Sequence, residues 1–446
     1  MRLRRVVLAA CVALPALLGA QEPTPVRVQS YTLTNGLRVH FVEDHSAQVV
    51  AVNVWYDVGS RNERSGRTGF AHLFEHMMFQ GSANVGKMEH GQLIERAGGE
   101  FNGSTQPDRT NYYNVVPSNR VNLALWLEAD RMRSLAITAE NLANQREAVK
   151  EERRLRVDNQ AYSPAIIDSL PALFSRDRCF AYSHSIIGSM ADLDAATVED
   201  VKAFFAQHYA PNNAVLVIVG DVVPVTVLPM VQQYFGRIPS GPRREMVSCD
   251  APTTGTRPVV KRITDANATL PAVLIAYRTI PPAHADYPAL ALLTTILGEG
   301  ESSRLNRSLV RGSQVAVGAQ TLHDPFGPMR AGGLFAVLAI ANAQVGLDSL
   351  HRTVERETRV AADGIRPEEL EKAKNAWRSR TIFGRQAALD VSEAVQYAAL
   401  YLGNAVAVNA EASRYAAVTL ADLRRVARTY LRPDNSLTLL ISAEAP

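Results

Sequence analysis

His72 and His76 stand four residues apart, and Glu75 immediately precedes the second of them. On an α-helix, residues at i and i+4 lie one above the other on a single face. Two neutral imidazoles placed in that way can grip one metal ion from one side. Glu75, beside the second imidazole, is near enough to act as a base on a water at that ion. The bland alternative is a helix that carries two solvated histidines and a charge. Only the structural setting separates the two readings.

A catalytic zinc takes three protein ligands and leaves one position open for water. The long helix predicted over residues 139–157, with Thr138 as its N-cap, offers Glu147, Glu151 and Glu152. Glu152 shares its stripe with Ala148, Val149 and Leu155. Glu151 falls with Glu147 and Arg154. A ligand must face the interior, so Glu152 is the favoured third donor. Glu147 and Glu151 read as a solvated face paired with lysine and arginine.

Several elements must hold these groups. Residues 26–33, 37–42 and 48–58 read as an antiparallel meander that turns first at Asn35-Gly36. A helix over 66–79 carries the histidines, and its apolar flank of Met77, Met78 and Phe79 points to a buried setting. A glycine-rich approach at 98–105 leads into a β-rich segment at 108–116. Helices follow over 122–133 and 197–208, then an apolar strand over 214–219. Residues 236–258 are rich in Gly, Pro, Ser and Arg and lack periodicity. Beyond them the pattern restarts, with strands at 259–263 and 272–277 and a helix over 287–297. Thr197 and Pro211 reappear in similar settings as Thr419 and Pro433, each 222 residues later (419 − 197 and 433 − 211). The expected fold is therefore α+β: two similar domains, each a mainly antiparallel sheet packed with helices. The second copy has no His or Glu over 291–297, where the motif helix should recur.

At 446 residues the chain is too long for one ordinary core. Its 47% hydrophobic and 20% charged residues describe an ordinary globular protein. The formal charge of +3 resides in residues 1–20, which hold Arg2, Arg4, Arg5 and no acid. Removing those three from the 47 basic residues leaves 44 against 44 acidic, which argues against a nucleic-acid partner. The basic start and the apolar run 6–20 read as a signal peptide, so export to the periplasm is expected. Release outside the cell, or a lipid anchor at Cys11, is the alternative. No other apolar run is long enough to span a membrane. Export would permit a disulfide between Cys179 and Cys249, with two free thiols as the other reading. The expected division is a signal peptide at 1–20, an N-terminal metal-binding domain at 21–240, a linker at 241–258 and a C-terminal repeat at 259–446.

His72-x-x-Glu75-His76, followed by a glutamate 76 residues beyond the second histidine (152 − 76), resembles the inverzincin signature of the pitrilysin family of zinc peptidases, which includes mitochondrial processing peptidase and insulin-degrading enzyme. The segment 102–113, Ile187-Gly188-Ser189, Pro211-Asn212-Asn213-Ala214 and residues 298–311 share in the resemblance. It implies one zinc per chain held by His72, His76 and Glu152, with Glu75 as general base in peptide-bond hydrolysis. It also implies two similar α+β domains per chain and four domains around a chamber, hence a dimer. Asn102, Gly103, Ser104 and Thr105 would offer a strand edge to an extended peptide, although their composition also suits a polar turn. Two positions depart from the family. Gln145 stands where a second glutamate is common, so that Glu147 becomes a candidate substitute in supporting the ligands. Arg311 fits a substrate-holding arginine of the second domain, but Val317 stands near the place of its tyrosine partner. A related chain could supply that tyrosine, which favours a heterodimer over a homodimer. A structural subunit, or a peptide-binding component inactive alone, is the rival reading.

Overall fold

The computed structural model describes residues 22–174, 179–242, 247, 257–361 and 363–443. The first repeat builds a six-stranded sheet in the order β1-β2-β6-β3-β5-β4, from β1 (Gln29–Thr32), β2 (Arg38–Glu43), β3 (Val49–Tyr56), β4 (Glu100–Thr105), β5 (Thr110–Pro117) and β6 (Ala214–Gly220). The second builds a five-stranded sheet in the order β7-β11-β8-β10-β9, from β7 (Val259–Asp265), β8 (Ala272–Thr279), β9 (Ala316–His323), β10 (Gly333–Ala341) and β11 (Ser436–Ala443). Position for position, β2-β6-β3-β5-β4 corresponds to β7-β11-β8-β10-β9. Each sheet has one parallel pair, β2 with β6 and β7 with β11, and is otherwise antiparallel.

This topology corrects the expected meander. β1 and β2 form the hairpin around Asn35-Gly36, but β6 inserts between β2 and β3. The reason lies in β6 itself, Ala-Val-Leu-Val-Ile-Val-Gly, which is buried at every position. A strand apolar on both faces belongs in the middle of a covered sheet.

Four helices of the first repeat matter for the site: α1 (Phe70–Met77), α2 (Glu89–Arg96), α3 (Val121–Ser134) and α4 (Ala139–Arg153). α2 lies in a stretch with no predicted element. Thr138 caps α4 as predicted, its hydroxyl accepting from the Asn141 N–H at 3.1 Å. α4 then widens into a π-helical turn, Arg154–Asp158.

Each repeat covers the other's sheet. The helix Ala388–Tyr401 buries Val391, Val395 and Ala398 against Val42, Val215, Val217 and Val219 of the first sheet. In return, Leu170, Leu173 and Phe174 pack with Leu274, Leu334 and Leu439 of the second. The two covering segments sit at corresponding positions of the 222-residue repeat, so the exchange is reciprocal. Polar contacts fix the register. Gln396 donates to the backbone carbonyls of Asn53 and Val215, both at 2.9 Å, and Arg330 pairs with Asp57 at 2.9 Å.

Cys179 is disulfide-bonded. Cys249 and Cys11, the expected signal peptide and most of the expected linker lie outside the described residues. Among the described residues, no helix is long and apolar enough to cross a membrane.

Candidate metal centre and its cavity

α1 is two-faced. Phe70, Ala71, Leu73, Phe74 and Met77 are buried, and the Phe74 ring packs on Tyr209 with centroids 4.1 Å apart. This anchoring turns His72, Glu75 and His76 to the other side, where all three are half-buried. The predicted start at residue 66 is four residues early, because Gly69 takes a left-handed conformation, φ +85°, as the N-cap. Gly69 has no side chain to satisfy the first helical N–H groups. Glu63 does so instead. Its fully buried carboxylate accepts from the N–H of Gly69 at 2.8 Å and of Ala71 at 2.7 Å. Burial pushes that carboxyl upward, against the opposing hydrogen bonds.

Glu152 reaches the histidines from the last turn of α4. Its Oε2 lies 3.5 Å from His72 Nε2 and 3.2 Å from His76 Nε2. One donor atom from each of the three residues lies within 4.8 Å of the others, and no other such group occurs among the described residues. Bonds of about 2.0–2.1 Å from a tetrahedral zinc place its ligand atoms roughly 3.4 Å apart. The two spacings to Glu152 match that edge length, and a two-histidine, one-carboxylate donor set suits zinc. Burial, and then the neighbouring His76, lowers the His72 imidazole to about 4, with Glu152 opposing. The neutral ring, the form that can ligate, is therefore dominant. A hydrogen bond from His76 leads the effects that lower Glu152, against burial. Arg156, one turn on, pairs with the other Glu152 oxygen, Oε1, at 2.9 Å.

Glu75 stands beside this triad. The Thr105 hydroxyl donates to its Oε2 at 2.6 Å. Burial raises the Glu75 carboxyl, and the Thr105 bond opposes the rise. Thr105 belongs to β4, the edge of its sheet. β4 passes close to Glu75 because residue 103 is glycine: a Cβ there would sit 3.1 Å from Glu75 Cγ.

A cavity of about 600 Å³ opens over these groups, lined by all four candidate site residues and by 102–105 of β4. Ile167 and Pro171 of the first repeat and Phe326 and Met329 of the second also line it.

The structure thus gathers His72, His76, Glu152, Glu75 and Asn102, Gly103, Ser104 and Thr105 into one cavity. It leaves others apart. Glu147 is exposed and pairs with Lys150 at 3.3 Å, which removes the reason to see it as a substitute behind the ligands. Gln145 is buried on α4, and its amide donates to Asn144 at 2.7 Å. Arg311 is exposed, pairs with Glu301 and does not line the cavity, and Val317 is exposed. Sequence reasoning missed Glu63, Arg156, Phe326 and Met329. Arg156 carried a signal, the i, i+4 spacing from Glu152. The others act across turns or repeats and had none.

Residues 38–182 match the family model described as insulinase, peptidase family M16, and residues 195–377 match the model of the peptidase M16 inactive domain. The zinc protease PqqE of Helicobacter pylori is 30% identical over 96% of each chain. The probable mitochondrial-processing peptidase subunit beta of Arabidopsis thaliana is 26% identical over 90% of this chain and 75% of its own. The crystal structure of a protease from Helicobacter pylori superposes with a TM-score of 0.85 at 27% identity, covering 94% of this chain and all of that one. Pitrilysin superposes with a TM-score of 0.73 at 18% identity, and the match covers 97% of this chain and 47% of that one.

Proposed function

We propose that this chain, which belongs to the insulinase family of peptidases, family M16, is a zinc metalloendopeptidase that hydrolyses extended peptides or unfolded protein segments. The observation that carries this reading is the convergence of three metal-donor atoms, with Glu75 beside them, in a cavity bordered by an edge strand. His72, His76 and Glu152 are the ligands in this proposal, with one zinc per chain. Zinc bound there supplies Lewis-acid polarisation of a peptide carbonyl and acidifies water.

The chain's own residues supply the rest. The free edge of β4 docks the peptide backbone. Thr105 occupies one oxygen of Glu75, leaving the other to accept a proton from the attacking water. As the carbon–nitrogen bond breaks, Glu75 returns that proton to the leaving amine. We further propose export to the periplasm, with 21–240 as the metal-binding domain, 241–258 as the linker and 259–446 as the repeat. A second, homologous chain would complete the chamber. The pitrilysin match, spanning about half of that longer chain, supports the need for a partner.

Zinc-loaded protein should cleave unfolded peptides, alone or with a homologous partner, and a chelator should stop it. Glu75→Gln should keep its zinc and lose roughly 10²–10⁴-fold in rate. Cleavage by neither assembly, or equal cleavage by Glu75→Gln, would overturn the reading. A zinc content near zero, with His72→Ala no different, would remove the metal assignment.

A further inference from the structure

The second repeat lacks the metal donors, yet it grips β4 from behind. Its helix Ala388–Tyr401 sets the half-buried Glu393 against the back of the first sheet. One oxygen of Glu393, Oε1, accepts from the Asn53 amide at 2.6 Å, the Asn111 amide at 2.9 Å and the Trp55 indole N–H at 3.3 Å. Asn111 passes the contact on. Its Oδ1 accepts from the Ser104 hydroxyl at 2.6 Å and from the Arg109 guanidinium at 2.7 Å. Arg109, only 6% exposed, lies over the Trp55 ring at 4.6 Å. It donates to the Ser104 carbonyl at 2.9 Å and also to the Ser104 hydroxyl. All of these acceptors are neutral. Burial lowers the guanidinium, and Glu393 leads the charges that oppose this. Neighbouring strand residues point to opposite faces. Ser104 is therefore held at the back of the sheet, while Thr105 meets Glu75 at the front.

The other half of the molecule shows that the fold does not require this chain of contacts. Trp55 pairs with Asn111 across β3 and β5 as Arg278 pairs with Leu334 across β8 and β10, which places Ala276 at the position of Asn53. Ala276 and Leu334 pack with Leu170, Leu173 and Phe174 in an apolar cluster. A covering segment can thus be seated on Ala and Leu, at less cost than burying a carboxylate, two amides and a guanidinium. The polar chain stands in the half that carries the metal donors, and it ends on the strand beside Glu75. We propose that Glu393 is a positioning residue through which the ligand-free repeat fixes β4, holding the docking edge in register with Glu75. β4 pairs with β5 alone, so nothing on its free side resists displacement until a peptide docks. A strand already held in place spares the peptide that ordering cost.

This role presupposes the peptidase reading and docking at β4, so strand order and docking are read separately and without turnover. Zinc-loaded Glu75→Gln is titrated with a fluorescent unfolded peptide, and amide exchange over β4 is followed by mass spectrometry. Both are repeated with Glu393→Leu, Glu393→Gln or Val395→Ala added. Glu393→Leu removes the shared acceptor, so β4 should exchange faster and peptide binding should weaken about tenfold, with zinc content unchanged. Glu393→Gln keeps an oxygen acceptor and should restore most of the binding. Val395→Ala loosens the same helix through its apolar contacts and should leave both readouts near the parent. Asn111→Leu with Glu393→Leu copies the junction at Leu334, which keeps a folded chain if the single variant does not fold, and it should bind as weakly. In the active chain the loss should fall mainly on KM. Unchanged β4 exchange in both leucine variants, or an equal loss in Val395→Ala, overturns the positioning role. Faster exchange with no peptide bound by the parent removes docking at β4 alone. The expected binding pattern without cleavage by the active chain removes the hydrolytic reading alone.

Discussion

Glu63 shows how much a single side chain beyond the motif contributes. It gives α1 the cap that Gly69 cannot, and α1 carries three of the four groups at the site. Glu63→Gln retains one acceptor for two buried N–H donors. The expected cost is about 1–3 kcal/mol of stability, read by denaturant unfolding, together with weaker zinc binding as α1 frays at its start. Thr105 acts differently, since it touches Glu75 itself. Thr105→Val keeps the shape and removes the donor, so kcat should fall about tenfold with little change in KM. Thr105→Ser should restore most of it. Equal rates in the Val and Ser variants would show that this hydrogen bond does not orient the base.

At the scale of elements, close backbone passages set the geometry. The loop containing Ile187 and Gly188 crosses the N-terminus of α1 with no room for a side chain. A Cβ on Gly188, itself at φ +76°, would meet the Thr68 carbonyl oxygen at 2.4 Å. Gly188→Ala should therefore destabilise the fold by about 1–3 kcal/mol through overpacking, with further strain from the left-handed backbone. Gly103 governs the approach of β4 to Glu75. Gly103→Val should leave the melting temperature nearly unchanged, because this is an edge strand, yet lower kcat/KM by displacing Glu75 or the docked peptide. A variant as active as the parent would show that β4 can yield without disturbing the site.

The whole molecule is held by exchange between the repeats. Asp57 and Asp108 are buried at that junction, and Arg61 and Arg330 supply their positive partners. Arg330→Ala leaves Arg61 in place, so the expected cost is about 1–3 kcal/mol, less than the 3–5 kcal/mol typical when a buried ion pair loses its partner outright. Calorimetry should show the two repeats unfolding less cooperatively. Acid should act on the whole fold through buried imidazoles. Burial, reinforced by Arg38 and Arg61 respectively, lowers His40 and His208 to about 4. Burial and Arg131 lower His90 to about 3, against the hydrogen bond that its ring donates to Asn114 Oδ1. Above pH 6.5 each is neutral in both folded and unfolded chains. As pH falls below 6.5 the unfolded chain takes up protons first, so stability is lost between about pH 6.5 and pH 4. His40→Gln, which can keep the contact with Ser30, should flatten that part of the profile.

The candidate metal donors were legible from the residues because helical geometry is local. A spacing of four puts His72 and His76 on one face, and the apolar stripe of α4 separates Glu152 from Glu151 whatever the rest of the chain does. The internal repeat was legible too, since Thr197 with Thr419 and Pro211 with Pro433 preserve one offset. Strand order was not. β6 pairs between β2 and β3 from more than a hundred residues away, and two-sided burial rather than any local pattern places it there. Spacing on α4 already read Glu147 as part of a solvated face paired with lysine, and it lies exposed beside Lys150 at 3.3 Å; its candidacy as a support behind the ligands came from the resemblance and not from the helix pattern. Invisible were Glu63 under α1 and Phe326 and Met329 on the cavity wall. Their roles arise from contacts across turns and between repeats, and those contacts exist only once each half of the chain has covered the other's sheet.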